Sequence, residues 1–71
     1  MYVTINRVLQ ARISVRYTFH LHAAPGGPAI AHGAHVSSPE VAQAKVALLF
    51  AHPLQWQRQS TGDILYIACT E

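Results

Sequence analysis

A single cysteine, Cys69, leaves this chain with no partner for an internal disulfide. Small domains without disulfides are typical of reducing compartments, so a cytoplasmic location is expected. Charge is also scarce. Asp, Glu, Lys and Arg make up 11% of the 71 residues, against about 25% in an average globular domain. No apolar run approaches the ~18 residues that a membrane-spanning helix needs. The first ten residues, MYVTINRVLQ, lack the basic-then-apolar layout of a signal peptide. The expectation is a soluble protein without a membrane partner. Five Lys and Arg against three Asp and Glu give a net charge of +2. That permits nucleic-acid binding without favouring it, because phosphate affinity scales with the number of cations brought to bear.

What the chain does have is apolar residues, 51% of the total, which excludes disorder. At this length there is room for one domain, residues 1–71, burying only about 60% of its unfolded surface. No internal repeat, linker or low-complexity tract interrupts it.

The clearest pattern is the alternation Ile13, Val15, Tyr17, Phe19, Leu21, with Arg12, Ser14, Arg16, Thr18, His20 and His22 in between and beside. Period two with β-branched and aromatic residues predicts a half-buried strand, odd positions inward and even positions outward. Residues 2–9 fit either a strand continuing the odd apolar face through Val3, Ile5 and Leu9, or a helix capped by Thr4. The strand is preferred, with a bend or bulge near Asn6–Arg7. Ala24-Pro25-Gly26-Gly27-Pro28 predicts a turn, its glycines supplying positive φ. Residues 29–36 then return as a short irregular strand or, failing that, a long loop.

Ser37-Ser38-Pro39-Glu40 opens a helix in either of two registers. Ser38 as N-cap places Pro39 first in the helix, and Ser37 as N-cap makes a capping box with Glu40. The helix is expected to run to Ala51 and stop at His52-Pro53. From Val46 onward it is apolar on all sides, so flanking segments or a second subunit must cover it. The chain closes with a hairpin, Leu54–Gln59 and Ile64–Cys69 around Ser60-Thr61-Gly62-Asp63. The last strand, apolar on both faces, should lie inside the sheet. The fold class is therefore α+β: a mostly antiparallel sheet of four to five strands with one helix on a face, in the order β(β)βαββ.

Chemistry is thinly represented. Glu40 caps a helix and Asp63 sits in a turn, so no pair of carboxylates is poised for acid–base work. Cys69, with no second cysteine nearby, reads as a packed, inert thiol. Pro25-Gly26-Gly27-Pro28 has prolines where a phosphate cradle needs donor amides. His20-Leu21-His22 and His32-Gly33-Ala34-His35 could pool imidazoles for zinc or copper across a hairpin. The alternative is that they are ordinary surface residues, so no cofactor or metal is assigned. The most informative surface is the outward row Arg12, Arg16, His20 and His22, spread over about 33 Å. Trp56 and Arg58 could join it from the terminal hairpin, since Arg and Trp dominate interface hot spots.

In layout, a single small domain with the Ser-capped helix SSPEVAQAKVALLF and the closing hairpin LQWQRQSTGDILYIA resembles the small proteins that phages and mobile elements use to disable bacterial defence complexes, anti-CRISPR proteins among them. Many of those are acidic mimics of nucleic acid, a mode from which the +2 charge departs. The resemblance implies a non-enzymatic inhibitor that blocks a protein complex sterically or allosterically. The leading expectation is thus a protein-binding module, not an enzyme. Alternatives are a small nucleic-acid-binding or regulatory protein, and a histidine-based metal-binding protein. A homodimer through the helix or a sheet edge is also expected.

Overall fold

A computed structural model describes residues 1–10, 14–50, 53–59 and 62–69. Its elements are β1 (Tyr2–Gln10), β2 (Ser14–His22), β3 (Ala29–His32), α1 (Pro39–Ala47), β4 (Gln57–Arg58) and β5 (Ile64–Cys69). The five strands form one sheet in the order β3-β2-β1-β5-β4, every neighbouring pair antiparallel. The expected α+β class and element order are both present.

The helical alternative for residues 2–9 loses because of where β1 lies, in the centre of the sheet. Its register runs without a break from Tyr2↔His22 to Gln10↔Ser14 on one side, and on the other it pairs with β5 from Tyr2↔Cys69 onward. A helix this short would be marginal by itself. As a strand, the segment satisfies its backbone on both sides and buries Val3 and Ile5 completely. The bend or bulge expected in β1 near Asn6–Arg7 is instead a bulge in its partner β5, where the β1–β5 register shifts opposite Ile5 and Asn6 while the β1–β2 register stays unbroken. The extra residue is Leu65 of β5, because Tyr66 faces Ile5 and Ile64 faces Asn6.

The β2–β3 hairpin turns on Ala24–Gly27. Gly27 N–H donates to the Ala24 carbonyl at 3.1 Å, and Gly26 takes φ 79°. Proline second and a positive-φ glycine third is the arrangement of a type II turn. Gly26 alone needs the left-handed conformation here. Residues 29–36 are accordingly a short strand, followed by a connection that touches β2 again through the isolated bridge Tyr17↔Val36.

Of the two helix-start registers, the fold uses Ser38. Its φ of −146° and ψ of 154° are extended, Pro39 follows it inside the helix, and its Oγ accepts from Val41 N–H at 3.2 Å. The regular helix ends at Ala47, short of the expected Ala51. The amides of Leu48, Leu49 and Phe50 reach back to the carbonyls of Lys45, Val46 and Ala47 at 3.3, 2.9 and 3.4 Å. These are the three-residue steps of a tightened last turn. Phe50 thereby turns towards the core, while Leu48 and Leu49 stay 86% and 57% exposed.

The helix lies on β1 and β2. Ala42 and Val46, one turn apart, join Val3, Ile5 and Phe19 in the buried core. Leu21, Val36, Phe50, Leu54, Trp56 and Tyr66 close around it. The expected strand at residues 54–59 shrinks to Gln57–Arg58, because Leu54 and Trp56 follow the core surface before the chain reaches β5. β5 lies inside the sheet as expected, between β1 and β4.

Candidate functional site

Residues directly opposite one another in antiparallel strands share a face. Tracing partners outward from β1 therefore sorts the side chains. Ile5, Phe19 and Tyr66 form a row beneath α1. The neighbouring row, His32–His20–Thr4–Ile67–Gln57, crosses all five strands on the opposite, helix-free face. Tyr2, His22 and Cys69 make a second row there, and Asn6, Thr18 and Ile64 a third.

Despite having no helix over it, this face contains buried polar groups. Thr4 and Thr18 are each 2% exposed. Both are satisfied, as burial requires. Thr18 Oγ1 donates to the Gly33 carbonyl at 2.6 Å, and Thr4 Oγ1 donates to Asn6 Oδ1 at 2.7 Å. The same Asn6 oxygen lies 3.0 Å from His20 Nδ1. An amide oxygen only accepts, so His20 carries a hydrogen on Nδ1. By the same reasoning His22 Nδ1–H donates to the Gly27 carbonyl at 2.9 Å, which ties the β2–β3 turn to the sheet. Its Nε2 stands 3.5 Å from Thr4 Oγ1. The rings of His20 and His32 have centroids 5.9 Å apart, those of His20 and His22 6.4 Å, and Tyr2 meets His22 edge-on at 5.8 Å.

Crowding of imidazoles has an electrostatic consequence. His20 titrates below its ordinary value of 6.5, first because burial disfavours the cation, then because His32, His22 and His35 would repel it. His20 is therefore reluctant to charge near neutral pH. Among the described residues, no three His, Cys, Asp or Glu side chains converge as a metal site would require.

The structure divides the predicted interface residues. Arg16, His20 and His22 lie on the helix-free face, with Arg16 exposed and the histidines half-buried. Thr18, expected outward in the same row, is buried beneath the Gly33 strand end. Arg12 lies outside the described residues, as does His52. Trp56 and Arg58 do not join the row. Trp56 packs against the core, and Arg58 faces Tyr66, which puts it on the α1 side at the far edge. Cys69 is exposed, not packed. It lines a shallow cavity of about 210 Å³ with Gln55, Gln57, Ile67 and Ala68, below the ~300 Å³ at which small-molecule sites begin.

Tyr2, Thr4, Asn6 and His32 belong to the site, although the interface residues read from sequence did not include them. For Tyr2, Thr4 and Asn6 the signal was the alternation of β1. Once Val3 and Ile5 face inward, Tyr2, Thr4 and Asn6 must face the other way. No family model, curated protein or solved structure matches the chain.

Proposed function

We propose that this chain is a non-enzymatic protein-binding module that docks through the helix-free face of its sheet. One observation carries the reading. Among the described residues the single helix covers one face, and the other presents a set of polar side chains held by hydrogen bonds to one another and to the backbone. Such pre-ordering lowers the entropy that binding must spend on fixing side chains. The resemblance to small inhibitors of bacterial defence complexes implies a compatible mode, a domain that blocks a protein complex sterically or allosterically without catalysis.

Charge placement supports a protein partner over nucleic acid. Of the described cations, Arg16 is on the helix-free face, Lys45 is on α1, Arg58 is on the α1 side, and Arg7 pairs with Asp63 at 3.4 Å. They form no stripe along which a phosphate backbone could run.

The test is site-specific photo-cross-linking in cells that express the chain. A cross-linking residue at Arg16 or Gln57 should trap one discrete protein, and the same residue at Lys45 on α1 should not. Recovery of nucleic acid, with affinity collapsing between about 50 and 200 mM salt, would replace the reading with a nucleic-acid one. Trapping from α1 alone would relocate the surface.

Self-association is a second reading, favoured by the exposure of Leu48 and Leu49 at the helix end. Light scattering should then give a dimer mass that Leu48→Lys with Leu49→Lys reduces to a monomer. A monomeric unsubstituted chain at micromolar concentration rules it out.

A further inference from the structure

Resting on the docking face proposed above, we infer that its partner presents carboxylates, and that His20, His32 and Arg16 receive them with uptake of protons by the imidazoles. The groups that surround His20 come from three strands and one connection. On β2 they are His22 and Arg16, on β3 His32, and in the connection after it His35; β1 contributes Tyr2, Thr4 and Asn6. The described carboxylates are elsewhere. Glu40 opens α1 on the other side of the sheet, and Asp63 sits in the Gly62 turn against Arg7. Apart from the Cys69 thiol beside Tyr2, every described group on this face that can carry charge near neutral pH is therefore of the cationic type.

The hydrogen bonds decide where a proton goes. His20 already spends Nδ1–H on Asn6, so protonation occurs at Nε2 and leaves that bond intact. His22 spends Nδ1–H on the Gly27 carbonyl with Nε2 towards Thr4, which makes it a structural tie. His20 and the exposed His32, their rings tilted with centroids 5.9 Å apart, form the adjacent imidazole pair that answers a partner. Alone, His20 resists charging, first because of burial and then because a cation there would be repelled by its imidazole neighbours. A carboxylate placed against the pair reverses that balance by favouring the charged form. Arg16 stands four residues from His20 on the same face, about 13 Å along the strand. Two carboxylates at that spacing, as in an extended segment with acidic residues at its first and fifth positions, would meet both ends.

The probe is a capped pentapeptide with glutamate at positions one and five, compared with its glutamine twin, in amide chemical-shift titrations at pH 6 and pH 8. The glutamate peptide should shift resonances of β1, β2 and β3 on the helix-free face. Its association constant should fall with rising pH by up to about ten-fold per unit for each proton taken up. His32→Gln, exposed and outside the Asn6 network, should flatten that slope without disturbing the fold, and His20→Gln should flatten it further. Arg16→Gln should weaken binding equally at both pH values. Binding that ignores pH, equal binding of the glutamine twin, or shifts confined to α1 would each overturn the inference. So would no binding at either pH, but face-specific cross-linking of a protein from position 16 would then still support the docking module.

Discussion

Gly33 lies against the face of the Phe19 ring, where an added Cβ would stand 2.6 Å from Phe19 Cδ2 and 2.7 Å from Cζ. Its φ is not in the left-handed region, so backbone conformation is not what demands glycine there. The demand comes from space. Gly33 N–H also donates to the Phe19 carbonyl at 3.0 Å, which holds the backbone in place and prevents it from retreating. Gly33→Ala must therefore displace a core ring, at a cost of about 1–3 kcal/mol. A urea titration followed by circular dichroism should show the lowered midpoint; an unchanged midpoint would mean the ring has somewhere to go.

The helix start offers a paired test. Ser38→Ala removes the acceptor of the Val41 amide and should cost about 1 kcal/mol. Ser37→Ala should cost only a few tenths, since Ser37 is exposed and is not the cap. Equal losses in urea midpoint would show both serines sharing the role.

Asn6 accepts from two donors on two strands. Asn6→Ala leaves the hydroxyl of buried Thr4 without its acceptor and should destabilise by about 1–3 kcal/mol. Adding Thr4→Val removes the orphaned hydroxyl and should recover part of the loss. A double variant no more stable than Asn6→Ala would place the effect elsewhere.

Stability should also depend on pH through His20. Its folded-state value is depressed below 6.5 by burial first and neighbouring imidazoles second. The unfolded chain therefore binds more protons as pH falls through 6.5. The contribution of His20 is fully present above that pH and is lost progressively below it, until the folded-state value is passed. Urea midpoints at pH 7.5 should exceed those at pH 5, and His20→Gln should reduce the difference. A midpoint that stays level across this window would contradict the crowding.

Leu48 is 86% exposed at the helix end. In a monomer, Leu48→Lys should change stability by no more than about 0.5 kcal/mol. A larger loss that shrinks as both proteins are diluted would report a self-interface at this end of α1.

Local chemistry was enough to read several elements from the sequence. Alternation from Val15 to Leu21 required a strand, Ser38-Pro39 a helix start, and Pro25-Gly26 a turn, because each depends on neighbours within a few residues. The α+β class followed from their order. Other features depended on contacts between distant segments. Whether residues 2–9 coil or extend was settled by β5, nearly the whole chain away, which lent β1 its second set of hydrogen bonds. The helix ended early because Phe50 had a core to enter. The histidine face took its form from register: His20 meets His32, and Thr4 meets His20, only because a bulge in β3 and an unbroken β1–β2 ladder align them. Arg58 was lost from that face for the same reason, since one step of register sends a side chain to the opposite side of a sheet. Spacing along the chain determines which side of a strand a residue takes, and only pairing between strands determines which residues it meets there.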